Sequence, residues 1–350
     1  DQSTPSTSDL AQGVFLFDLP RPLRPGDETK LEFDLEFGSE GFKNSGGDTQ
    51  IVYNGTFFNN GNLPNIGYLP GRELTDDSVR RKRGLESRPR MARIDDLDAR
   101  ANTYISRQAD WIDFEAVVST SNDQIAVAPG SLQREWTEGD RRYFHYKADG
   151  RILCFYSVLS ARYEVLRDKW NDVAIEVYYH PGHEYNLESM VSAMKSALEY
   201  CSKNFSPYQH KQARILEFPR YLTFAQSFPN TIPYSEGLGF IAKVDRDDEE
   251  DVDYPVYVTA HEIAHQWWAH QVIGGDVQGA TMLSETLAQY SALMVMKQTF
   301  GREKMKRFLR HELDQYLMGR GTERRKEPVS YTHLRAHETY ITISVAVLWM

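Results

Sequence analysis

The sequence predicts an α+β protein: an antiparallel β-rich part comes first, and a part built from both helices and strands follows. Three observations point there. Between Gly13 and about Leu166 apolar residues recur with a period of two, broken by turn dipeptides. Beyond Asn171 the spacing lengthens to the i, i+3, i+4 pattern of amphipathic helices, with strands still interspersed. At 350 residues, 41% hydrophobic and 12% aromatic, the chain can bury a core in one large or two ordinary domains.

Taken in order, the Ser-, Thr- and Asp-rich residues 1–12 read as a linker, and the β-rich part spans 13–170. Leu31 to Phe37 alternates apolar and charged residues, as a half-buried strand does. Trp111 to Val118, Tyr143 to Tyr146 and Arg151 to Leu159 repeat the pattern. Pro25-Gly26, Gly46-Gly47, Pro129-Gly130 and Gly139-Asp140 mark turns between them. The basic stretch Arg80 to Arg93 has no aromatic interleaving, so it reads as a solvated loop. A formal net charge of -10 likewise argues against nucleic acid as a partner. Of the two cysteines, Cys154 sits in the apolar run Ile152 to Leu159 and Cys201 on the apolar side of a helix; both read as core thiols. No apolar run approaches the ~20 residues that span a bilayer.

The second part spans 171–328. Val173 to Tyr179 reads as a strand, and Asn186 is placed to cap a helix whose stripe is Leu187, Met190, Val191, Met194 and Leu198. A strand near Ala213 to Phe218 precedes a proline-rich turn region, Phe228 to Pro233. The acidic run Asp245 to Asp253 lacks the spacing and glycine of a calcium loop and reads as a solvated connection. Three helices follow. The first, Pro255 to His270, is capped by Asp253; the second, Thr281 to Phe300, stops at Gly301; the third, Arg302 to Met318, stops at Gly319.

The first of these helices carries His261-Glu262-Ile263-Ala264-His265, an H-E-x-x-H motif. Spacing of four puts both imidazoles on one face, where they can reach a single ion. Zinc suits imidazole nitrogen, and a catalytic zinc takes three protein ligands and leaves one position for water. Glu262 stands beside that face as the general base for a metal-activated water. The third ligand is best supplied by Glu285, near the start of the next helix. A first-turn acid also suits the helix dipole, so Glu285 has an ordinary reading as well. Gly274, Gly275 and Gly279 would let that helix fold back beside the first.

Together these residues resemble the gluzincin aminopeptidases, whose pattern is H-E-x-x-H, eighteen residues, then Glu. This chain has nineteen intervening residues, Gln266 to Ser284, and the surplus fits most easily in the glycine-containing connection. The run Gln278 to Thr286 looks like the branch fused to bacterial ABC-transporter permeases. The resemblance implies a thermolysin-like catalytic domain holding one Zn2+ ion, and removal of residues from peptides with a free amino terminus. It also implies that Glu236, in Pro233-Tyr234-Ser235-Glu236-Gly237, holds the substrate amine. A permease portion would tether the domain to a bacterial membrane on its extracytoplasmic face. The rival expectation is a non-catalytic peptide-binding or regulatory domain of such a transporter.

Residues 329–350 differ in character. Val329 to Thr339 resembles a translated sequencing adapter, and an apolar run follows a charged one. The expectation is that native sequence stops near Pro328. Tyr331, His333, His337 and Tyr340 then carry no catalytic role, and the family's oxyanion-stabilising tyrosine is missing.

Overall fold

In a computed structural model of the chain, the described residues are 5–9, 13–38, 50–67, 73–87, 91–106, 109, 111–245, 248 and 251–322, the last four as backbone only. Gly46-Gly47, Arg88, Arg90 and the whole of 329–350, with Tyr331, His333, His337 and Tyr340, lie outside them. The chain divides into two units, Asp1–Glu40 and Gly41–Met350.

In the first unit, β1 (Thr7–Asp9) and β2 (Val14–Leu16) form an antiparallel hairpin with Thr7 opposite Leu16. Residues that read as linker therefore include a strand. Its side chains are exposed, so backbone pairing forms it and no apolar pattern announces it. The reverse holds for Leu31 to Phe37: they are exposed, and no strand among the described residues pairs with them. Alternation makes a strand only where a partner completes the ladder.

The second unit opens with β3 (Thr56–Asn59), α1 (Asp77–Lys82) and α2 (Leu97–Arg100). Part of the expected basic loop is thus helical: Asp76 caps α1, its carboxylate accepting the Ser78 and Val79 N–H groups. Then come β4 (Trp111–Ile112), β5 (Glu115–Ser121), β6 (Ile125–Val127), β7 (Ser131–Glu138), β8 (Arg141–Lys147), β9 (Ile152–Leu153) and β10 (Ser157–Ala161). They pair antiparallel as β5-β8-β7, β3-β10-β6 and β4-β9. Cys154, just beyond β9, is half-buried rather than a core thiol, whereas Cys201 is fully buried; both are free.

A mixed sheet carries the rest. β11 (Glu164–Trp170) pairs antiparallel with β12 (Val173–Tyr179); α3 (Leu187–Asn204) crosses to β13 (Gln212–Phe218), parallel to β12, and β14 (Thr231–Ser235) lies parallel to β13. β13 is buried along its whole length, and its alternate residues serve two cores. Ala213 and Ile215 join the helices, while Leu216 and Phe218 join Phe57, Phe144 and Leu159 of the β-rich part. The α3 stripe is buried as its spacing predicts. Asn186 occupies the cap position without capping; its amide donates to the Gly239 and Ala242 carbonyls instead.

The stretch expected as a proline-rich turn overlaps β14. Thr231 and Ser235 direct their N–H groups to Phe228 and Phe224, so Pro233 lacks only the rung between them. That rung faces the 224–228 arm and not β13, which is why proline is tolerated here. α4 (Tyr254–Ala264) is capped by Asp253, whose carboxylate accepts the Val256 N–H at 3.3 Å. It ends six residues before the expected His270. Trp267 and Trp268 anchor their indole N–H groups on Ser206 O and Ser291 Oγ, and Ala269 turns the chain at φ 139. α5 (Leu287–Thr322) breaks at Gly301 (φ 85, ψ 173), the predicted stop, but its backbone stays helical through Gly319. Among the described residues no helix is long and apolar enough to cross a membrane.

Candidate metal centre

His261 and His265 project from the last turn of α4 and its C-cap, and both are buried. Their Nε2 atoms stand 2.9 Å apart. Glu285 Oε2 lies 3.5 Å from His261 Nε2 and 3.4 Å from His265 Nε2. Bonds of about 2.0–2.2 Å to one tetrahedral zinc hold ligand atoms about 3.3–3.5 Å apart. The two His–Glu separations match that value, and the His–His separation is slightly shorter.

Local chemistry orients these donors. His265 Nδ1 lies 2.9 Å from the Trp268 carbonyl, which places the proton on Nδ1 and leaves the Nε2 lone pair facing the cluster. Burial opposes charge on His265, yet the Glu285 carboxylate beside it lifts the imidazole to about 9. Burial also opposes charge on Glu285, and His265 and His261 outweigh it, holding the carboxyl well below its usual range. With that proton released from His265, three acceptors converge, and the positive charge it carried would fall to a bound cation. Glu262 is buried on the same helix, and one of its oxygens, Oε2, has no partner among the described residues. Burial pushes its carboxyl upward against the pull of His261 and His265.

Glu285 stands in a π turn, Met282–Thr286, just before α5. A π turn takes one residue more than an α turn. The glycine-containing connection, Gly274 to Gly279, leads from the end of α4 into this turn. That connection is occupied by other contacts: Ala92 bridges Val277, Thr103 bridges Gly275, and the Asp276 N–H donates to Asn102 O at 2.8 Å. The Tyr104 hydroxyl, carried in on the same segment, hydrogen-bonds Ser284 Oγ next to the Glu285 position.

Two further layers support the centre. Gln266 ties the end of α4 to the neighbouring hairpin, accepting from Asn230 N–H at 2.9 Å and donating to Ser227 Oγ and Phe228 O. Tyr257 lies one turn before His261 and Gln289 one turn after Glu285; Gln289 donates to Tyr257 Oη at 2.6 Å and to Glu312 at 2.5 Å. The sequence signal for this layer was a polar residue four positions from His261 and another four from Glu285, on the same helix face.

The structure does not bring Glu236 into this cluster. Tyr234 Oη reaches Pro255 O at one end of α4, and Asn230 meets Gln266 at the other. The helix thus runs antiparallel to β14, with Glu236 and His265 toward opposite ends. The Glu236 carboxylate accepts the Arg220 N–H at 3.2 Å and stands with His183 and Glu217. Strand register, invisible in the sequence, decides this. No model of a known protein family matches the chain, and no curated protein matches it.

Proposed function

We propose that the chain carries the zinc centre of a metallopeptidase that hydrolyses peptide bonds. The observation behind this reading is the convergence of His261 Nε2, His265 Nε2 and Glu285 Oε2 beside a buried carboxylate, Glu262. The donor set of two imidazoles and one carboxylate fits a catalytic zinc, and the buried, unpartnered Glu262 oxygen fits a group kept for proton transfer. Zinc bound there would polarise a peptide carbonyl and acidify a water molecule. The chain's own part is then clear: His261, His265 and Glu285 hold the ion, and Glu262 takes a proton from the attacking water and returns it to the leaving amine. Trp268 O keeps the His265 tautomer fixed throughout. The mixed sheet, motif helix and ligand-bearing helix agree with the thermolysin-like architecture that the resemblance implies.

A domain that only bound peptides would have no use for a carboxylate buried beside the ligands. Amino-terminal selectivity would rest on Glu236, which stands with His183 and Glu217; the proposal itself is peptide-bond hydrolysis. The test pairs two variants. Glu285→Ala should lose zinc by metal analysis; Glu262→Gln should keep it while cleavage of fluorogenic peptides falls by roughly 10²–10⁴-fold. Equal zinc in Glu285→Ala and the parent, or cleavage indifferent to Glu262→Gln, would refute the proposal.

A further inference from the structure

A second set of donor atoms gathers where β12, β13 and β14 end side by side. A His183 ring nitrogen, a Glu217 oxygen and a Glu236 oxygen all lie within 4.8 Å of one another. Each comes from a different connection. His183 follows the His180-Pro181-Gly182 turn beyond β12, its N–H donating to His180 O at 3.1 Å, with Gly182 at φ 93. Glu217 is the penultimate residue of β13, and Glu236 is the first residue beyond β14. The parallel register that pairs Phe218 with Ser235 sets the two glutamates next to each other. Carboxyl ends of adjacent parallel strands are where α/β sheets place ligands.

The basic partners of these two carboxylates are His183 itself and one exposed guanidinium. Glu217 is fully buried; one oxygen accepts the His180 N–H at 2.6 Å and the other meets His183 Nδ1. Glu236 faces it with a second carboxylate, whose guanidinium partner, Arg220 Nε, is 3.8 Å away on a side chain 65% exposed. A buried carboxylate beside a second, half-buried one is unfavourable unless a cation lies between them. A second imidazole is close: the His180 ring centroid is 6.1 Å from that of His183, and its buried Nε2 has no partner among the described residues. Its Nδ1 accepts from Asn54 Nδ2 at 3.3 Å, so Nε2 is the protonated nitrogen and His180 is not counted among the ligands.

We propose that His183, Glu217 and Glu236 form a second site for a divalent transition-metal ion, of the zinc or manganese type, separate from the His261 centre. One imidazole and two carboxylates are a donor set such ions accept. The site clamps the ends of three parallel strands and the β12–α3 turn, so its contribution is to stability. It does not depend on the peptidase reading.

Stoichiometry tests it. The metal-stripped full chain is titrated with Zn2+, and separately with Mn2+, by calorimetry, and bound ions are counted by mass spectrometry. The chain should take up two zinc ions. Glu285→Ala should lose one, His183→Ala the other, and the double variant both. Because truncation at His183 could perturb folding, Glu236→Gln gives an isosteric check and should weaken the second ion at least tenfold, with circular dichroism unchanged. Binding of a single ion that Glu285→Ala abolishes would overturn the second site and leave the first intact. Two ions unaffected by His183→Ala and Glu236→Gln would overturn it equally.

Discussion

Glu312 offers the sharpest test of the buried polar layer one turn from the metal ligands. Its carboxylate accepts from Gln289 at 2.5 Å and is buried within the helical core. Burial is the main cause that pushes its carboxyl up to about 7 from 4.5, with Tyr257 and Gln289 hydrogen bonds opposing. At 1.36 kcal/mol for each factor of ten in proton affinity, ionising it in the folded state costs about 3 kcal/mol more than in the unfolded chain. The sign follows from proton binding. Below about pH 4.5 both states hold the proton and nothing is lost. Between 4.5 and 7 the unfolded chain ionises first, so stability falls with a slope of about -1.3 kcal/mol per pH unit. Above 7 the full cost is present. Glu312→Gln removes the charge while keeping an acceptor for Gln289. Urea unfolding of both proteins from pH 4.5 to 8.5, with chelator present so that metal binding does not intrude, gives the difference directly. The variant should gain on the parent as pH rises, by about 2–3 kcal/mol between the ends of the range. A difference that stays constant across that range would refute the assignment of the cost to Glu312.

Two other perturbations probe the scaffold and the support of the third ligand. Gly130 sits at φ +93, and a Cβ there would come 2.3 Å from the Lys147 carbonyl carbon, whereas Gly139, at φ +59, has nothing within 4 Å. Gly130→Ala should therefore lower stability by at least about 2 kcal/mol and Gly139→Ala by about 1 kcal/mol; equal losses in thermal melts would remove the backbone collision from the explanation. Tyr104→Phe deletes the hydrogen bond to Ser284 at a cost of about 1 kcal/mol, and zinc affinity should fall about tenfold with the fold intact. Unchanged affinity by competitive chelation would detach Tyr104 from the centre.

The contrast between the two donor clusters explains what could be read from the chain. His261 and His265 are four apart on one helix, so local periodicity alone brings their imidazoles together, and Glu285 needed only a second helix folded back. The α3 stripe, the Asp253 cap and the break at Gly301 are likewise local and were legible. The π turn was not, because it lies ahead of α5 and so outside the apolar pattern that announces that helix. Nor was the hairpin of Thr7–Asp9, which has no buried face, or the failure of Leu31 to Phe37, whose pattern lacks a partner. Glu236 shows the deeper limit. The resemblance implies that it holds a substrate amine, whereas its partners in the fold are set by the register of β14 on β13, and a slip of one residue would turn it to the opposite face. A helix-encoded site tolerates shifts of its neighbours so long as its own turns persist. A site assembled from strand ends holds only while three registers agree, and an ion bound to His183, Glu217 and Glu236 would favour that agreement over every slipped alternative.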